Sequence, residues 1–175
     1  VVCTGKVKVY KSSRTGQQLT TRVESPGDLL GHVTLLADEG QYTGTGEALE
    51  PSVVSMIDTR SFHSFVAKHP EASFSLMREL ARDVRRGENK ARDIAFKPAR
   101  GRLADILLRM MAPHKPYPIV AGIKRRDLAE MAGLTIETTV RLLKDFELRE
   151  VLRKKEKDLL IVSEERLRAL AGASA

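Results

Sequence analysis

The chain has 175 residues, 42% of them hydrophobic and 30% charged, a composition that folds and excludes an intrinsically disordered chain. Its lone cysteine, Cys3, excludes an internal disulfide and any four-cysteine zinc or iron–sulfur site within one chain; no run approaches a membrane span and no secretory signal opens the sequence, so a cytoplasmic protein is expected. The net charge of +7 is uneven: residues 1–96 carry 13 Lys and Arg against 12 Asp and Glu, whereas residues 97–175 carry 17 against 11, a positive field in the C-terminal half that would draw a polyanion.

Residues 1–60 read as short strands. Residues 5–10 alternate with period two, so Lys6 and Lys8 are expected outward and Val7 and Val9 inward. Residues 12–16 form a polar turn, residues 18–23 the return strand of a hairpin, and Pro26-Gly27-Asp28 another turn. A β-branched run follows at residues 53–57. Short strands broken by turns predict a small antiparallel roll or barrel. Val1-Val2 already reads as mid-strand and there is no initiator Met, so earlier strands are expected ahead of it.

Residues 58–66 predict a short helix that stops near His69-Pro70, and a long helix begins around Glu71. Along it Met77, Leu80, Val84, Gly87, Ala91 and Ile94 step by 3, 4, 3, 4 and 3, the 3.5-residue period of a two-stranded seam. Charged flanks from Arg78 to Asp93 leave little other apolar face, so a second copy of the chain is expected on this stripe. A helix lying on its own domain is the alternative. Gly87 on the seam marks either a soft point or a close-contact point. Phe96-Lys97-Pro98 interrupts the helix, because proline disfavours a helical residue before it, and this is the expected hinge.

Residues 99–111 resume as a helix with Leu103, Ile106, Leu107, Met110 and Met111 as its core stripe, residues 113–118 are loop, and residues 119–123 form a short strand pair. Residues 123–148 then predict two helices around a tight turn. Leu128, Met131 and Ala132 give the first an apolar face, Gly133 closes it, and Thr135 is suited to N-cap the second. The second helix should bury Thr139, Leu142, Leu143 and Phe146, leaving Ile136, Glu137, Thr138, Arg141 and Lys144 at or near its other side. This is the layout of a DNA-reading helix-turn-helix. An ordinary helical hairpin shares it, but Lys124, Arg125 and Arg126 before the unit and a basic hairpin at residues 151–162 after it favour DNA. Ser163 should cap a last helix over residues 164–170, with residues 171–175 frayed.

Leu128-Ala129, Gly133-Leu134-Thr135, Glu137-Thr138 and Arg141-Leu142-Leu143 resemble, in order and spacing, the recognition unit of the cyclic-AMP receptor protein / fumarate-nitrate regulator (CRP/FNR) family. Residues 26–31 (PGDLLG) resemble that family's PGD-x-hydrophobic-G turn, and residues 102–108 (RLADILL) its R-x-A-x-x-L-L helix. The resemblance spans essentially the whole chain. It implies an α+β fold: an antiparallel, jelly-roll-like β-roll of the effector-binding type over residues 1–70, a dimerisation helix and hinge over 71–97, and a winged helix-turn-helix over 98–175. It also implies a homodimeric bacterial transcription regulator, commonly acting through contact with RNA polymerase.

The effector pocket departs from the family pattern. After Gly31 this chain has His32 where cyclic-nucleotide-binding members place a ribose-binding Glu, Tyr42-Thr43 where they place a phosphate-binding Arg-Ser pair, and Gly87-Glu88 where their seam helix supplies hydroxyls. A buried phosphate without its arginine would be left largely unpaired. Cyclic-nucleotide binding is therefore not expected, and no cofactor is. A regulator gated by a different small effector in the β-roll is the alternative. His32 is a candidate sensor of pH or ligand, while His63, His69 and His114 carry no ligand spacing.

For DNA, Glu137 and Arg141 lie one helical turn apart and suit base edges, Arg for guanine and Glu for a cytosine amino group. Relatives often carry a second base-reading Arg where this chain has Ile136, which could pack on a thymine methyl instead. Thr135, Thr138, Lys124, Arg125, Lys144, Lys154 and Lys155 suit phosphates. A symmetric dimer implies a pseudo-palindromic operator in double-stranded DNA. Catalysis is not expected: a metal-dependent oxygenase in a β-roll needs two histidines and a carboxylate, and residues 1–60 hold only His32. An interaction module built on the seam helix alone would leave the charge asymmetry unexplained.

Overall fold

The computed structural model describes residues 1–37 and 40–172, in two units, Val1–Ala91 and Arg92–Ala175. In the first, β1 (Val2–Thr4) pairs antiparallel with β5 (Val53–Val54). β2 (Val7–Ser12) is the middle strand of an antiparallel sheet, flanked by β3 (Gln18–Glu24) and β4 (Thr45–Ala48). Only Val53 and Val54 of the expected 53–57 run are strand. The expected turn at Pro26-Gly27 is held by Asp28, whose backbone N–H donates to Ser25 O while its carboxylate accepts from Ser25 N at 2.7 Å.

The alternation in β2 fails at one residue. Lys6 is exposed and Val7 buried as expected, and Val9 is half-buried, but Lys8 is 0% exposed. Its Nζ lies 3.3 Å from Glu47 Oε2, on the residue directly across from it in β4, and 5.4 Å from the Tyr10 ring centroid. Period-two patterning sorts a strand's residues onto two faces without saying which faces are covered. A cross-strand carboxylate and an aromatic face let the ammonium sit inside.

A short helix, α1 (His32–Leu36), follows the Gly31 turn. α2 (Thr59–Lys68) is N-capped by Asp58, which accepts from Ser61 N at 2.9 Å, and it ends with His69 as its C-cap, at the stop expected near His69-Pro70. α3 (Pro70–Phe96) starts on proline, where the missing N–H matters least, and ends at the predicted break. On α3 Met77, Val84, Gly87, Ala91 and Ile94 are exposed and Leu80 is half-buried.

The second unit comprises α4 (Ala99–Met110), β6 (Ile119–Val120), α5 (Arg125–Ala132), α6 (Ile136–Leu148), β7 (Leu152–Lys155), β8 (Asp158–Ile161) and α7 (Glu164–Ala171). Its sheet runs β6-β8-β7, with β7 and β8 forming the expected basic wing. The strand pair expected within residues 119–123 is instead one strand that pairs with β8, since Ile119 and Val120 find their partners in Leu160 and Leu159. Leu103, Leu107, Leu128, Leu143, Phe146, Leu159, Ile161 and Leu167 close the core. Met110 and Met111 are only half-buried. Ser163 accepts from Arg166 N at the start of α7. Ala171, expected to fray, is helical and buried; residues 173–175 of that expectation lie outside the described residues. Among the described residues no helix is long and apolar enough to cross a membrane.

Candidate nucleic-acid interface

Two caps set the geometry of α6. α5 ends on Gly133 at φ +63°, a left-handed conformation that costs glycine little, and Leu134 N then donates to Ala129 O at 2.9 Å. Two residues later Thr135 Oγ1 accepts from Thr138 N at 3.1 Å, satisfying one of the orphan donors at the start of α6. α6 turns Thr139, Leu143 and Phe146 into the core, with Leu142 half-buried. The buried Thr139 hydroxyl donates to Thr135 O at 3.0 Å, so it carries no unpaired polar atom inward.

Ile136, Glu137, Val140, Arg141 and Lys144 remain exposed on the opposite arc. The Glu137 carboxyl is held below the usual carboxylate range by its own backbone N–H at the helix start and by the Thr135 hydroxyl. It is therefore an acceptor under ordinary conditions. Arg141 and Lys144 have no hydrogen-bond or ion-pair partner among the described residues. The sequence pattern points to Ile136, Glu137, Arg141 and Lys144 on this arc but not to Val140.

The residues expected at phosphates divide. Lys124, at the N-cap of α5, and Lys155, on the wing, are exposed, and Thr138 is half-buried beside Thr135. Lys154 is already engaged: its Nζ lies 2.9 Å from Glu147 Oε2 on α6. Arg125 is half-buried, and its Nη1 is shielded from solvent with no hydrogen-bond partner. Glu147, whose carboxyl is held low first by the Lys154 hydrogen bond and also by the charge of Arg125, is a residue the sequence did not single out.

The first unit holds a cavity of about 670 Å³ lined by Gly31, Tyr42 and Thr43 as expected, together with Arg22, Asp83, Arg86 and Gly87. Gly31 is required there: its φ is +82°, and a Cβ would stand 2.7 Å from the Tyr42 ring. His32 is not on the cavity wall. It is buried, with Nε2 3.0 Å from Asp83 Oδ2 and Nδ1 without a partner. The absence of the family's phosphate arginine does not leave the cavity without one, because Arg22 from β3 and Arg86 from α3 both reach it. Arg22 pairs with Asp83 and, through Nε, with Glu24 at 3.2 Å. Arg86 lies 2.5 Å from both Asp83 Oδ1 and Glu79 Oε1. Burial opposes the Asp83 charge, but the Arg86 hydrogen bond and the neighbouring cations outweigh it and hold its pKa low. Glu24, 2% exposed, is pushed by burial up to about 7. Among the described residues no cluster of His, Cys, Asp and Glu is arranged to hold a metal.

Comparison with known proteins agrees with this division. Residues 1–69 match the cyclic nucleotide-binding domain family and residues 101–170 the Crp-like helix-turn-helix domain family. The chain is similar to the CRP-like cAMP-activated global transcriptional regulator of Mycobacterium tuberculosis, at 30% identity over 173 residues, covering 95% of this chain and 76% of that one. With the fumarate and nitrate reduction regulatory protein of Vibrio cholerae it shares 28% over 175 residues, covering 97% and 69%. The structure of FixK2 from Bradyrhizobium japonicum has the same fold, with a TM-score of 0.79 at 24% identity, covering 99% of this chain and 87% of that one.

Proposed function

Because this chain belongs to the CRP/FNR family of DNA-binding transcription regulators, a family of regulators rather than enzymes, we propose that it acts as a homodimer that reads a pseudo-palindromic operator without needing a cyclic nucleotide. The observation that carries the reading is α6 itself. Glu137 and Arg141 stand exposed one turn apart near its N-terminal end, the carboxylate ionised and the guanidinium unpartnered among the described residues. That end of a recognition helix is the part that meets base edges in the major groove. Arg141 donates to guanine, Glu137 accepts from a cytosine amino group, and Lys124, Lys144 and Lys155 hold the backbone on either side. The exposed stripe Met77, Val84, Gly87, Ala91 and Ile94 on α3 supports pairing of two copies. The pair then presents two reading helices to half-sites about one helical turn apart. Contact with RNA polymerase is the family's usual route from there to transcription.

Independence from cyclic nucleotide is supported by the cavity. Arg22 is paired with Asp83, and Arg86 with Asp83 and Glu79, so a cyclic phosphate would have to break those pairs before gaining a cationic partner of its own. A second reading, gating by another small effector, is favoured by the size of the same cavity, about 670 Å³ and within the range of ordinary ligand sites. Protein purified through denaturation and refolding, so that no small molecule is carried over, separates the two when titrated against operator DNA in a band-shift assay. Full affinity in the absence of added ligand supports the first reading. Binding only after addition of a cell extract's small-molecule fraction supports the second, and no sequence preference under either condition would end both.

A further inference from the structure

The exposed arc of α6 is not uniformly polar. Ile136 is 46% exposed and Val140 47% exposed, and they are four residues apart, one above the other on the helix surface. Lys144, a further turn on, is exposed in the same row. This row runs beside the one made by Glu137 and Arg141. The helix therefore shows two parallel ridges, one of hydrogen-bonding groups and one that is aliphatic for two turns and then cationic.

Neither aliphatic side chain serves the fold, since the core face of α6 is supplied by Thr139, Leu143 and Phe146. Two side chains flanked by Glu137, Arg141 and Lys144 are also too small and too charged a patch for a stable protein contact. The major groove offers one apolar feature at matching scale, the C5-methyl of thymine. Both residues are β-branched and so stiff about χ1, which limits the ordering needed to meet a methyl group. Their separation along the helix axis, ~6 Å, is close to two base steps of ~3.4 Å each.

Resting on the reading of α6 as the DNA-reading helix, we propose that Val140 is a specificity-determining residue which, with Ile136, forms an apolar ridge that selects thymine through its methyl group. The operator half-site then carries a thymine opposite Val140 in addition to the base pairs read by Glu137 and Arg141.

Random duplexes selected on the intact chain give the preferred half-site. Each thymine in it is then replaced in turn by uracil, which keeps the base pairing and removes only the methyl. Wild-type protein is expected to lose ~4-fold in affinity at one thymine read by Val140, the scale of one buried apolar carbon. For Val140→Ala, which keeps an exposed helix position helical, thymine and uracil at that position should bind alike, while the substitutions at the remaining thymines keep their wild-type effects. The inference is overturned if no uracil substitution affects the wild-type protein, or if Val140→Ala stays as sensitive as wild type at every thymine. A chain that selects no sequence at all overturns the reading of α6 instead, and the inference with it.

Discussion

Arg102 and Ala132 are joined by a hydrogen bond, Nε to carbonyl oxygen at 2.9 Å, and the same guanidinium reaches Gly133 O at 3.3 Å, Lys97 O at 2.9 Å and Ile94 O at 3.3 Å. One side chain on α4 thus satisfies carbonyls at the end of α3 and at the turn of the helix-turn-helix, both places where a helix leaves acceptors without internal donors. The planar five-donor fork of arginine can span them, whereas a lysine ammonium reaches from a single point. Arg102→Lys should destabilise the second unit by about 1–3 kcal/mol and loosen the turn ahead of α6. Thermal unfolding, and amide exchange at Gly133 and Leu134, check this; unchanged protection there would mean the hydrogen bonds contribute nothing to the turn.

Under the proposed function, Arg141 and Lys155 make two different kinds of DNA contact. Arg141→Ala removes a bidentate donor from the reading face and should cost about 1–3 kcal/mol of discrimination at one base pair, with weaker loss on unrelated DNA. Lys155→Ala should weaken binding to every sequence alike and lower the slope of log K against log salt by roughly 1. Salt titrations on operator and scrambled duplexes distinguish the two, and an unchanged operator preference for Arg141→Ala would remove it from the reading set.

Glu147 holds Lys154, the wing lysine expected at a phosphate. Lys154 Nζ sits 2.9 Å from its carboxylate, and the Lys154 backbone N–H points at the other oxygen at 3.5 Å. Glu147→Gln keeps the shape and removes the charge. General DNA affinity should rise and the salt slope steepen by roughly 1 as Lys154 becomes available to a phosphate. A fall in affinity would show instead that the carboxylate's part is to aim the wing.

How much of this was readable in the chain depended on whether the determinants were local. The two-helix unit was legible because Gly133 and Thr135 act within a few residues of themselves, through a left-handed turn and a side-chain cap. The wing and the break after α3 were legible for the same reason, in alternation and in Pro98. What escaped was set by distant partners. Lys8 is buried because Glu47 lies across from it in β4, and Arg22 meets Asp83 from 61 residues away. Neither pairing leaves a periodic trace. Val140 escaped differently: an aliphatic residue in a helix reads as core by default, and only the placement of Thr139, Leu143 and Phe146 turns it outward.

Val84 lies 61% exposed in the middle of the α3 stripe. A carboxylate there would have to be buried unpaired at the centre of a two-copy seam, at a cost of several kcal/mol, yet in a lone chain it would stay in water. Val84→Glu should therefore shift the protein to monomer and weaken operator binding far more than it lowers helix content. Sedimentation at increasing concentration, paired with circular dichroism, checks this. A variant that stays dimeric places the seam elsewhere.

Glu24 should make the first unit less stable as pH rises. Burial lifts its carboxyl from an ordinary value of 4.5 to about 7, and Arg22 only partly offsets that; Asp28 and Asp83 push the same way as burial, Arg86 against it. At pH below about 4.5 the group is protonated whether the chain is folded or not, and contributes no penalty. Between there and about 7 the unfolded chain ionises while the folded one holds its proton, so stability falls with rising pH; above about 7 the full penalty applies. The loss is on the order of 3 kcal/mol. The depressed Asp83 works in the opposite sense, but only at pH below its ordinary value of 3.8, outside this window. Urea titrations of the intact chain at pH 5, 6, 7 and 8 should show the decline for wild type and a flatter profile for Glu24→Gln, in which the carboxamide cannot ionise. Parallel profiles for the two proteins would assign the pH dependence to other groups.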